Sequence, residues 1–258
     1  MFKILNKAVS LVRELAFTKS VIGKIISKFF SNTVLGRLGF RFSILTKKAL
    51  SLQGGYSQRA IEYPYLLTYL KYLKPGSLIL DVGCSESLLS HELIARGFRV
   101  VGLDIREYPF KSKRMTFVKR NAMNTKLPAN TFDAIIVVST IEHIGLNVYG
   151  QLALDDDGDI KAMNELRRIL KPNGIIIITT PYIGNEPLKV YPQERHYNRQ
   201  RLEKLVEGFQ VIKEDYFYPR RVKGRIYWIK MSREEIDKQK FTDPGLACLV
   251  LKPYPTRH

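Results

Sequence analysis

The chain has 258 residues, 45% of them hydrophobic and 26% charged, which is enough for one large core and excludes a disordered polymer. Its net charge of +18 suits an anionic partner or surface, and half of that excess falls in residues 1–50, where ten Lys or Arg stand against one acid, Glu14. The two cysteines, Cys84 and Cys248, have no CxxC spacing, which excludes a disulfide framework and a cysteine zinc site and fits a reducing, cytoplasmic setting.

Residues 1–55 read as a basic amphipathic helical extension, and 56–258 as the folded domain. Charges interrupt the extension every few residues, so it lacks the roughly 20 apolar residues of a spanning helix, and it has no signal-peptide cleavage pattern. Val21, Ile22, Ile25, Ile26, Phe29 and Phe30 cover one half of a helix, with Lys24 and Lys28 opposite. Two readings are open: a helix docked on the main domain or on a second copy in a homodimer, or a helix lying on the inner face of a membrane as a peripheral contact.

From residue 78 onward strands and helices alternate. Strands are predicted over 78–82, 99–104, 115–119, 132–138 and 175–180, with helices over 88–96, closed by Gly97, and 160–170, stopped by Pro172 and Gly174. A helix over 199–207 and strands over 209–218 and 246–252 complete the pattern. Continuous apolar runs such as AIIVV and IIIIT indicate strands buried on both faces. The expected fold is therefore α/β: a doubly wound, mostly parallel, seven-stranded Rossmann-like sheet, with the last strand antiparallel.

In such sheets ligands bind beyond the carboxyl ends of the strands, where strand order reverses. The turn LILDVGCSES after the first strand lies there. A dinucleotide fingerprint would place glycines at 83, 85 and 88, but only Gly83 is present, and Leu88 would obstruct close helix packing. Instead an acid ends each of the first two strands, Asp81 and Asp104. Ser85 and Ser87 are small enough for a ligand to approach, with hydroxyls placed to cap the next helix.

Three segments carry a resemblance: LILDVGCSESLLSHELIARGFRVVGLDI, FVKRNAMNTKLPANTFDAIIVVSTIEHI and AMNELRRILKPNGIIIITTP. Together, over residues 75–182, they resemble the class I S-adenosylmethionine-dependent methyltransferases of the type 11 group. The resemblance implies S-adenosylmethionine as the methyl donor. It places Asp81 near the methionine end of the donor with Gly83 and Cys84 giving backbone contacts, Asp104 at the ribose hydroxyls, and Asn121, Ala122 and Met123 at the adenine, with Ser85 and Ile105 as further donor contacts. Ser139 is likewise expected among the donor contacts. Asn121 stands where many relatives have Asp, and its amide oxygen can still accept the adenine amino group.

Methyl transfer to a hydroxyl also needs a base. STIEHIG offers His143 first, for its near-neutral intrinsic pKa, and Glu142 second. No metal is expected: Ser139 stands where ubiquinone O-methyltransferases carry a carboxylate ligand, which leaves only an acidic cluster further on as another source of one. The cluster Asp155, Asp156, Asp157 and Asp159 fails the EF-hand pattern at Ala153, and is read as capping of the next helix by Asp157 or Asp159. Beyond the fifth strand, residues 183–258 form the acceptor-side and C-terminal hairpin region, with Tyr182, Arg195, His196 and Tyr197 as expected contacts to an anionic or sugar-like acceptor. The basic insertion with Arg220, Arg221, Lys223, Arg225 and Trp228 reads as a hairpin covering that site or pairing subunits; stacking on single-stranded nucleic acid is the less favoured reading. The function reading is methylation, at oxygen, of a small molecule or a glycan or lipid-linked acceptor. RNA methylation and a non-catalytic module of the same fold are the alternatives.

Overall fold

The computed structural model describes residues 58–110, 112–150, 154–222 and 225–254. The basic extension 1–55 lies outside them. The elements run α1 (Arg59–Leu70), β1 (Leu78–Val82), α2 (Leu89–Ala95), β2 (Arg99–Asp104), β3 (Met115–Lys119), β4 (Phe132–Val138), α3 (Gly158–Ile169), β5 (Leu170–Tyr182), β6 (Lys189–Val190), β7 (Arg195–His196), α4 (Arg199–Leu205), β8 (Phe209–Val222), β9 (Arg225–Met231), α5 (Arg233–Ile236) and β10 (Gly245–Pro253).

The main sheet has the order β3-β2-β1-β4-β5-β10-β8-β9. Strands β1 to β5 pair in parallel, and β10, β8 and β9 continue the sheet antiparallel. The apolar runs alternate between two cores. Ile135, Val137, Ile176 and Ile178 face the side holding Leu166 and Ile169 of α3, whereas Ala134, Ile136 and Ile177 face the side holding Leu66 and Leu70 of α1 and Leu89 and Leu93 of α2. Burial on both faces is why these strands carry no polar alternation.

Two departures from the sequence reading have local causes. The sheet has eight strands rather than seven, because the basic insertion itself forms β9, paired with the extended end of β8 from Tyr216↔Met231 to Val222↔Arg225. The segment with Pro172 and Gly174, read as the break ahead of a strand over 175–180, lies within β5 as an irregularity: Phe132 pairs with Leu170 while Ala134 pairs with Ile175. At the other end of this region, Asp133 accepts the Leu78 N–H at 2.8 Å and pairs with Lys171, tying the entry of β1 to β4 and β5.

Candidate active site

The order reverses between β1 and β4, and there, at the carboxyl ends of the strands, lies a cleft of about 270 Å³. Asp81, Gly83, Asp104 and Ile105 line it from the first half of the sheet. Asn121, Ala122, Ser139, Glu142 and His143 line it from the second. Residues separated by more than 60 positions are thus brought onto one surface by the parallel topology.

Gly83 leaves β1 in the left-handed region, φ +76°, and a Cβ built on it would stand 2.4 Å from Thr140 Cγ2 and Oγ1. That is why this one glycine is kept. The others of a glycine-rich turn are unnecessary, because Cys84–Glu86 form a 3₁₀ turn whose Ser85 N–H donates to Asp104 Oδ2 at 3.0 Å. Ser87 Oγ accepts the Leu89 N–H at 2.9 Å at the entry of α2 and pairs with the Tyr63 hydroxyl at 3.0 Å. Ser85 Oγ, expected to share in capping, is buried with no hydrogen-bond partner among the described residues. Cys84 turns away from the cleft: a Cβ on Gly102 of β2 would meet its Sγ at 2.8 Å, and burial raises the thiol pKa far above its ordinary value. Met123 packs toward Gly158 and the core rather than lining the cleft.

Asp81 is buried and accepts Ser90 Oγ at 2.6 Å; loss of solvation pushes its pKa up to about 6. The Asp104 carboxylate accepts the Ser85 N–H through Oδ2 and the Arg106 N–H and Nε through Oδ1, which fixes its plane at the end of β2. Arg106 extends from there to Glu86 at 2.7 Å and lies 4.3 Å from the centre of the Tyr149 ring, a cation–π contact across the cleft wall. Asn121 Oδ1 accepts the Met123 N–H at 2.9 Å, so one lone pair closes a local turn and the other is left for a ligand.

At the opposite end His143 Nδ1 lies 2.5 Å from the Gln193 carbonyl. A carbonyl only accepts, so Nδ1 carries the proton and Nε2 is the acceptor nitrogen of the neutral ring. Nε2 lies 3.8 Å from Glu142 Oε1. Glu142 is 2% exposed, and its Oε2 has no hydrogen-bond partner among the described residues; burial pushes its pKa up to about 8.

The four expected acceptor residues do not line the cleft. Arg195 is 1% exposed and donates to the Ile144 carbonyl at 2.5 Å and the Asp155 carbonyl at 3.1 Å. The Tyr182 hydroxyl donates to Asp237, and the Tyr197 hydroxyl to Asp159 at 2.9 Å. His196 Nε2 pairs with Glu194 at 2.7 Å. These side chains brace the wall, and it is Glu194, from the same segment, that reaches the cleft surface. The acidic cluster is likewise tied up structurally. Asp157 occupies the N-cap position of α3 without a side-chain cap bond, and with Asp159 it pairs instead with Arg201, while Asp155 pairs with Lys161. Nor does the β8–β9 hairpin cover the cleft: it forms the sheet edge, with Trp228 opposite Pro219 and packed on the α1 side of the core.

Sequence reasoning passed over Arg59, Glu62, Arg106, Tyr149 and Glu194. Glu62 had one visible signal, an acid inside the otherwise apolar helix segment IEYPYLL. It is fully buried and accepts hydrogen bonds from Ser139 Oγ, Thr179 Oγ1 and Arg59.

A sheet of this order, with antiparallel strands completing it and a cleft bounded by acids at the ends of β1 and β2, is the class I methyltransferase fold. A family model described as "Caenorhabditis protein of unknown function, DUF268" matches residues 100–252, more than half of the chain, and the chain belongs to that family. Among solved structures, an S-adenosylmethionine-dependent methyltransferase from Archaeoglobus fulgidus superposes with a TM-score of 0.55 at 18% identity, over 80% of this chain and 99% of that one. A Burkholderia thailandensis 1,6-didemethyltoxoflavin-N1-methyltransferase, solved with S-adenosylhomocysteine, gives 0.53 at 15% identity over 84% and 86%. In sequence, the chain is 27% identical over 149 residues to sterol 24-C-methyltransferase erg6 of Aspergillus fumigatus, covering 51% of this chain and 36% of that protein. The chain thus spans about a third of the length of that relative. No helix among the described residues is long and apolar enough to cross a membrane.

Proposed function

We propose that this protein is an S-adenosylmethionine-dependent methyltransferase that methylates a hydroxyl of a small molecule or glycan. The observation that carries this reading is the convergence of Asp81, Gly83, Asp104 and the His143–Glu142 pair on one cleft at the strand-order reversal. The residues present fit the donor. Gly83 lets the chain turn at the cleft edge with Thr140 packed against it, Asp81 offers a carboxylate to the donor's ammonium, and Asp104 offers two oxygens to a ribose diol. Ile105, Asn121 and Ala122 supply the wall for the base. When bound, the donor supplies an electrophilic methyl group on a sulfonium.

The chain's own work is then alignment and proton removal. His143, oriented by the Gln193 carbonyl, presents Nε2 as the acceptor of the hydroxyl proton. Glu142 lies beside that nitrogen, 3.8 Å away, and supplies a charge that favours the imidazolium only where it is itself ionised, above about pH 8. The wall near His143 carries Glu194, whose carboxylate is held ionised by its hydrogen bond to His196, and this counts against a phosphate-backbone acceptor and so against RNA. It favours an acceptor that donates hydrogen bonds. The basic segment 1–55 is proposed to hold the enzyme at an anionic membrane face, within reach of a lipid-linked acceptor.

Calorimetric titration with S-adenosylmethionine and S-adenosylhomocysteine, on the wild type and Asp104→Ala, tests the reading. Micromolar binding that is lost in the variant is expected, followed by transfer of a labelled methyl group to hydroxylated acceptors in a panel. A wild-type protein that binds neither compound would overturn the assignment and leave the non-catalytic module.

A further inference from the structure

Helix α1 brings one guanidinium, Arg59, to the cleft surface beside the end of β1. Its placement is over-determined. Nη1 donates to Glu62 Oε2 at 2.7 Å, and the other oxygen of Glu62 accepts Ser139 Oγ at 2.5 Å and Thr179 Oγ1 at 2.7 Å. The buried carboxylate therefore rivets α1 to the carboxyl ends of β4 and β5. Ser139 adopts φ +42°, a left-handed backbone that a non-glycine residue takes at a cost. Its hydroxyl is spent on Glu62, which ties that strain to the positioning of α1.

Among the described residues, three guanidiniums line the cleft. Arg106 is bound to Asp104 and Glu86 at the end of β2, and Arg120 follows β3, so both belong to the half of the cleft that faces the nucleoside. Arg59 belongs to the other half. Its positive charge holds down the pKa values of both Asp81 and Glu142, against the larger effect of their burial, so it acts on both carboxyls.

Resting on the donor assignment above, we infer that Arg59, held by Glu62, is the residue that binds the carboxylate of the donor's amino-acid end. That end is a zwitterion, so a site that offered it only Asp81 would desolvate an unpaired carboxylate at a cost. Asp81 answers the ammonium and Arg59 the carboxylate, and a planar guanidinium suits a carboxylate's two oxygens. Glu62 acts through Arg59 and is a positioning residue.

The test compares ligands with and without that carboxylate. Wild type, Arg59→Gln, Arg59→Lys and Glu62→Gln are titrated with S-adenosylmethionine, S-adenosylhomocysteine and 5′-methylthioadenosine, which keeps the nucleoside and sulfur but lacks the amino-acid end. Arg59→Gln is expected to weaken the first two by ~10-fold or more and leave the third unchanged within about 2-fold. Arg59→Lys retains part of the affinity, and Glu62→Gln shows a smaller loss with the same ligand pattern. Equal weakening of all three ligands by Arg59→Gln and Arg59→Lys, or no change in any, overturns the inference. A wild-type chain that binds none of the three overturns the donor assignment itself, which is a different outcome from wild-type binding with unresponsive variants.

Discussion

Thr140 stands directly against the α-carbon of Gly83: its Cγ2 and Oγ1 would lie 2.4 Å from any Cβ placed there, and its hydroxyl is held at 2.9 Å by the Val138 carbonyl. The turn after β1 is therefore moulded by a residue that follows β4. Gly83→Ala combines this clash with a left-handed backbone. It is expected to cost at least about 1–2 kcal/mol of stability and to abolish donor binding. Thermal melts and calorimetry of the variant check both, and an alanine variant that binds like wild type would contradict this account of the turn.

Replacing His143 by Ala removes the proposed proton acceptor while leaving Asp81 and Asp104 in place. Methyl transfer to a hydroxyl is expected to fall by roughly 10²–10⁴-fold, with donor affinity kept within a few-fold. Single-turnover transfer of labelled methyl measures the first, and titration the second. Unchanged turnover would remove His143 from the mechanism.

Glu142 makes stability depend on pH. Its pKa rises from an ordinary value near 4.5 to about 8 because burial disfavours the charge. Between those values the folded chain holds a proton that the unfolded chain has released, so stability decreases as pH rises through that window and levels off above it. Asp81 adds a decrease of the same sign up to about pH 6. Glu142→Gln is expected to flatten the upper part of the profile, where the slope approaches ~1.4 kcal/mol per pH unit for one such group. Urea midpoints taken from mildly acidic to alkaline buffers measure it; a variant with the wild-type slope would show that Glu142 does not titrate late.

The pair Asp159–Arg201 secures α3 to α4. Asp159 is fully buried and also accepts the Tyr197 hydroxyl, and Arg201 additionally holds Asp157 at 2.8 Å and the Asp156 carbonyl at 2.6 Å. Arg201→Met strands a buried carboxylate, with an expected loss of about 3 kcal/mol. Asp159→Asn in the same background is expected to recover part of it, since the stranded charge is gone. Denaturant midpoints of the single and double variants decide; equal midpoints for Arg201→Met and wild type would mean the pair carries no stability.

The half of the cleft proposed for the donor was legible, as a set of lining residues, because its determinants are local. An apolar run that ends in an acid and a glycine marks a strand end wherever it occurs, and the parallel topology then delivers Asp81 and Asp104 to the same edge. Asn121 and Ala122 follow β3 by the same logic. Only the fold shows that the 3₁₀ turn packs the buried Cys84 thiol toward Gly102 and leaves the Ser85 hydroxyl buried.

The acceptor half depends on partners far away in the chain. Arg195, a plausible anion clamp by residue type, spends its guanidinium on carbonyls 51 and 40 positions earlier, and Tyr197 spends its hydroxyl on Asp159, 38 positions earlier. Glu62 meets Ser139 across 77 positions and Thr179 across 117. Residue order alone determines the alternation of strands and helices, the strand ends and hence the donor edge, because periodicity and turn chemistry act over a few residues. Which polar side chains face the cleft is decided by tertiary packing, since a buried donor or acceptor must be satisfied wherever the fold supplies a partner. Satisfaction turned Arg195 and Tyr197 into wall supports and brought Arg59, through Glu62, to the surface of the site.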